Sequence, residues 1–123
     1  MSLKRELIAA GVANSTADAI GGSLVSGITA HAGGGQASAT ALTGAVNVLG
    51  TVATAGDSVL LPQVPTDARD EIWVLNQGAA SANVFPPSGG AINALSANAA
   101  YAVAAGAAAV FKSLGDGLSW AAK

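Results

Sequence analysis

Between Thr40 and Trp120 the chain is a run of short apolar segments punctuated by turns of Gly, Pro and Asn, with no helix-forming stretch between them. This punctuation restricts the fold more than any other feature. Ala45-Val46-Asn47-Val48-Leu49 alternates with the period of a strand, and Ala55-Gly56-Asp57 turns the chain into Ser58-Val59-Leu60-Leu61. Pro62 to Asp67 reads as a loop. Glu71-Ile72-Trp73-Val74-Leu75-Asn76, rich in β-branched and aromatic residues, is the strongest strand. Gln77-Gly78-Ala79-Ala80 returns it to Ala82-Asn83-Val84-Phe85, which predicts a hairpin. Pro86-Pro87-Ser88-Gly89-Gly90 ends that pair, and Ile92 to Leu95 forms a brief extended piece. Ala99 to Ala104 and Ala107 to Ser113 flank Ala105-Gly106, predicting a second hairpin. Gly115-Asp116-Gly117 then leads into Leu118-Ser119-Trp120.

Roughly eight strands without an intervening helix predict an all-β fold, specifically an antiparallel β-sandwich or jelly-roll-like domain over residues 37–123. Strand parity assigns Val59, Leu61, Ile72, Val74, Tyr101 and Val103 to one inward layer. Trp73, Leu75, Val110 and Trp120 either complete the core or face a neighbouring subunit. Trp73 is the informative residue, because Ile72 and Val74 point the other way. A strand apolar on both faces needs cover on both, from the opposite sheet and from an arm or a second chain.

The bulk available for a core is small. The chain has 123 residues, of which 51% are hydrophobic, but much of that fraction is alanine, and Trp73, Phe85, Tyr101, Phe111 and Trp120 are its only aromatic residues. Burying a large apolar side chain contributes about 1.5–3 kcal/mol and an alanine far less, so burial between subunits is expected to add to stability. A homo-oligomer is the expected state.

Chemistry-bearing residues are scarce. Charged residues make up 10% of the chain, with 5 Lys and Arg against 7 Asp and Glu, and no basic cluster is present to meet a phosphate backbone. Nucleic acid is therefore not an expected partner. The chain has no cysteine and one histidine, His31, without His, Asp or Glu at ligand spacing, so neither a metal nor a cofactor is expected. Gly33-Gly34-Gly35 lacks the strand, helix and lysine of a phosphate-cradling loop. Asp67, Asp70 and Glu71 cluster as a glycosidase pair would, although beside Arg69 they read as solvated loop charges. With no base near a nucleophile, the chain is not expected to be an enzyme. The alanine-rich stretch Ala97 to Val110 is too short and too interrupted for a membrane span, and no signal peptide is evident.

Residues 1–22 read as a helical N-terminal arm and residues 23–36 as a Gly-rich linker. Ser2 can cap a helix from Leu3 to Ala10 that places Leu3, Leu7 and Ile8 on one face, with Gly11 as its stop. Ser15-Thr16-Ala17-Asp18 resembles a capping box for a second short helix ending at Gly21-Gly22. A helix-turn-helix reading fails because that second segment carries Asp18 and no Lys or Arg. The arm packs on its own domain or docks on a partner, since so short a helix needs a surface to fold against.

Thr40-Ala41-Leu42-Thr43, Gly56-Asp57-Ser58-Val59-Leu60-Leu61-Pro62, Ile72-Trp73-Val74-Leu75-Asn76-Gln77-Gly78, Asn83-Val84-Phe85-Pro86 and Ser88-Gly89-Gly90-Ala91-Ile92-Asn93 follow one another in an ordered series. With the alanine-rich strand pair and Trp120, this series resembles a class of small structural proteins of tailed bacteriophages over about residues 37–121. The resemblance implies a virion component, often a head decoration (cement) protein or a head fibre, β-rich and commonly trimeric. The expected function is therefore capsid decoration: binding the major capsid protein on the outer surface of the head, at capsomer junctions, and stabilising the shell. Leu3, Leu7, Ile8, Val12 and Trp73 are the expected capsid or subunit contacts. The alternative is a head-fibre or tail-adhesin module that binds a host glycan or receptor through exposed loops.

Overall fold

A computed structural model describes residues 23–33, 35–64 and 70–123. The chain is all-β, with nine strands and one 3-10 turn among the described residues. The strands are β1 (Leu24–Thr29), β2 (Thr40–Ala41), β3 (Val46–Thr51), β4 (Ser58–Leu60), β5 (Glu71–Asn76), β6 (Ala82–Phe85), β7 (Tyr101–Val103), β8 (Ala108–Ser113) and β9 (Trp120–Ala122). They form a five-stranded sheet of order β1-β3-β5-β8-β9 and a four-stranded sheet of order β2-β4-β6-β7. From β1 to β6 the chain alternates strictly between the two sheets, so three successive passes stack as tiers.

Stacking of passes makes the neighbouring strands parallel: β1 with β3, β3 with β5, β2 with β4 and β4 with β6. Antiparallel pairing of strands is confined to β5 with β8, β6 with β7 and β8 with β9. The sheets are thus mixed, which corrects the antiparallel expectation. Neither predicted hairpin forms. Glu71–Asn76 and Ala82–Phe85 lie in different sheets because Gln77 to Ala80 turns a corner, with Gln77 N–H donating to Leu49 and Ala80 N–H to Val52 on the preceding tier. Buried Asn76 fixes this corner: its Nδ2 donates to the carbonyls of Ala80 and Val103, and its Oδ1 accepts from Gly78 N–H. The second pair separates likewise. Asn76 exchanges backbone bonds with Gly106 and Ala107, which starts β8 against β5, while β7 stays on β6.

The 23–36 segment, expected as a linker, contains β1. Ser23 carbonyl accepts from the N–H groups of Ala45 and Val46, and β1 runs beside β3 with an irregular register around Gly27, whose φ is 68°. Small residues that look like linker composition are what this close pairing requires, since a Cβ on Gly50 would lie 3.3 Å from Gly27 Cα.

One core cluster draws on both sheets. Val59, Leu61, Ile72, Val74 and Val103 are buried as parity predicts, and Tyr101 packs against them half-buried. Its ring meets Phe111 of the other sheet edge-on, with centroids 5.5 Å apart. Trp120 is 0% exposed and completes the core.

Candidate functional site

Trp73 takes the opposite side. It is 41% exposed on the outer face of the five-stranded sheet, where register aligns it with Leu24, Val46 and Val110 from β1, β3 and β8. Val48, Leu75 and Ala108 form the next row. Leu24 is 65% exposed, and Val46, Val48, Leu75 and Val110 are half-buried. Four neighbouring strands therefore present a continuous apolar surface rather than isolated side chains, the pattern of an interaction face.

On the other side of Trp73 the row Glu71-Lys112-Ala121 supplies charge. Glu71 Oε1 accepts from the indole Nε1 at 2.8 Å, and Glu71 Oε2 lies 4.0 Å from Lys112 Nζ. The hydrogen bond orients the ring, while the exposed ion pair contributes little on its own. A shallow groove of about 500 Å³ runs between Trp73, Val110, Ala121 and Ala122, with Glu71, Lys112 and Lys123 completing its wall. Its character is an apolar floor with a charged margin.

Of the five residues expected to make contacts, Trp73 reaches this face, whereas Leu3, Leu7, Ile8 and Val12 lie outside the described residues. Leu24 and Val46 were not among those expectations. The linker reading concealed Leu24, and the alternation around Asn47 concealed Val46. Asn47 faces inward at full burial, its amide bonded to Gly44 and to the Trp73 carbonyl, so Val46 and Val48 are turned out.

Of the residues considered for catalysis, His31, Asp70 and Glu71 lie among the described residues, and all three are exposed. His31 is exposed and forms a backbone bridge with Ser58, and His31 Nδ1 and Ser58 Oγ both lie 3.4 Å from the Gly33 carbonyl. Asp57, next in sequence, is buried, and its two oxygens accept from Gly33 and Thr54 N–H groups. These bonds tie the end of the first tier to the second. Asp67 and Arg69 lie outside the described residues, and Glu71 is committed to Trp73 and Lys112. Among the described residues no three His, Cys, Asp or Glu side chains gather as a metal site would require, and no helix is long and apolar enough to cross a membrane. Comparison with protein-family models, curated proteins and solved structures yields no significant match.

Proposed function

We propose that the chain is a decoration protein of a tailed-bacteriophage capsid, a trimer that binds the major capsid protein on the outside of the head and braces capsomer junctions. The observation that carries this reading is the outward apolar surface centred on Trp73, continuous across β1, β3, β5 and β8. In this reading the two sheets are the halves of a sandwich, whose parallel tiers depart from an all-antiparallel jelly roll. Leu3, Leu7, Ile8 and Val12 of the arm join Trp73 in the contacts made on the head. Several weak contacts of this kind, made by linked copies, raise affinity without any single strong one. Scarce charge suits such a surface, since few ions have to be stripped of water on docking.

Heads assembled without the chain provide the test. The wild-type protein is expected to co-sediment with them at a copy number near that of the capsid protein, and Trp73→Asp to lose that binding while remaining folded. Full binding by Trp73→Asp would overturn the assignment of this face. The half-exposed indole beside Glu71 and Lys112 also favours a second reading, an adhesin that stacks a sugar on the ring. Specific retention on a glycan array, lost in the same variant, would support it.

A further inference from the structure

Past Trp73 the outer face of the five-stranded sheet changes character, as bulky apolar side chains give way to small ones and then to lysines. We propose, resting on the sugar-binding reading above, that the groove over β8 is a site for an acidic sugar, its ring stacked on Trp73 and its carboxylate held by Lys112 and Lys123.

Register builds the groove. Trp73 stands opposite Val110, and Val110 exchanges both backbone hydrogen bonds with Lys123, so these three side chains form one row across β5, β8 and the end of β9. In the adjoining row Glu71, Lys112 and Ala121 stand side by side. Val110 and Ala121 are low points between taller neighbours, with Trp73 and Lys123 as walls about 10 Å apart, two inter-strand gaps. The volume enclosed, about 500 Å³, falls within the range of small-molecule sites, about 300–1,000 Å³. The indole is a fixed platform, because its Nε1 donates to Glu71 Oε1 at 2.8 Å, and the negative face of its π-system suits the C–H face of a sugar ring. Glu71 is occupied by this bond and by Lys112, 4.0 Å from its second oxygen. Among the lining side chains, two lysines against one carboxylate leave a positive charge over, which matches a monoanion.

A peptide cannot enter here by adding a strand, since the outer edge of β9 is already taken. Trp120 N–H donates to the Ala91 carbonyl, Asn93 N–H donates to the Trp120 carbonyl, and the Asn93 side chain exchanges two hydrogen bonds with the Ala122 backbone. The ligand is therefore held by side chains, as a sugar is, and not by pairing with the sheet.

Methyl β-glucuronide and methyl β-glucoside differ only in a carboxylate against a hydroxymethyl group, and so separate charge from stacking. Each is titrated against the full chain and followed by tryptophan fluorescence, with enclosed Trp120 as a constant background. The glucuronide is expected to bind about five- to tenfold more tightly, the order that two exposed ion pairs supply, and to lose that advantage as salt is raised. Lys112→Gln combined with Lys123→Gln should bring the glucuronide down to the level of the glucoside and leave the glucoside unchanged. Trp73→Ala, followed by ligand-observed NMR, should abolish binding of both. Equal binding of the two sugars by the wild type would overturn the acidic-sugar assignment and leave the sugar reading in place. Binding of neither would overturn both, while sedimentation with heads tests the decoration reading on its own. Tighter binding of a short peptide of aspartate and phenylalanine than of the glucuronide would assign the groove to a protein partner and likewise overturn the proposal.

Discussion

The two tryptophans show how much one residue's orientation decides. Trp120 is wholly enclosed, and its Nε1 has no acceptor among the described residues, so it contributes through packing alone. Trp120→Ala is expected to destabilise the fold by about 3–5 kcal/mol, whereas Trp73→Ala, which opens no cavity in the core, should cost about 1 kcal/mol or less. Urea denaturation of both variants checks the contrast. Asp116 is a second residue with a definite role. Its exposed carboxylate accepts from the N–H of Ser119 and of Leu118, and these bonds, the Ser119 one foremost, lower its pKa from 3.8 to about 2. Because the folded value is depressed, the stabilisation is complete above the unfolded value near pH 4 and is lost as pH falls toward 2. NMR titration of the Asp116 side chain is expected to give a midpoint near 2, and a midpoint near the ordinary Asp value would show that the turn is open.

At the scale of elements, the corners govern the fold more than the strands. Each strand is short, and the direction in which its chain leaves it depends on buried polar side chains at the ends: Asn47, Asp57 and Asn76. All three bond backbone groups, which would otherwise lie buried without partners. Gly78 shows how tightly the tiers stack, since a Cβ there would lie 2.5 Å from Val52 N and 2.7 Å from Val52 Cβ. Backbone atoms cannot yield as a flexible side chain can. Gly78→Ala is therefore expected to cost about 1–3 kcal/mol by forcing the corner away from the tier before it. A melting temperature equal to that of the wild type would show that the corner has slack. The failure of both predicted hairpins belongs here too: a short Gly-containing connection joins strands of one sheet or of two, and the hydrogen bonds of Asn76 select the second outcome.

For the whole molecule, one thin core and one apolar outer face have a joint consequence. A fold that leaves Leu24 and Trp73 in water gains stability whenever that face is covered. Native mass spectrometry is expected to detect a trimer at high protein concentration, and a monomer at every concentration would refute the trimeric reading. By itself the sequence determined where the strands from β3 to β9 lie, that Val59, Leu61, Val74 and Val103 face inward, and that chemistry-bearing side chains are few. Alternation and turn residues act over a few positions, so these properties are local and legible. The tertiary structure alone decided that the strands stack in parallel tiers, that residues 24–29 belong to a sheet, and that Trp120 goes in while Trp73 stays out. Alternation states which residues share a face but not which strand will lie beside them. That choice rests on hydrogen bonds and close packing between residues far apart in the chain, such as Asn76 with Val103 and Gly78 with Val52.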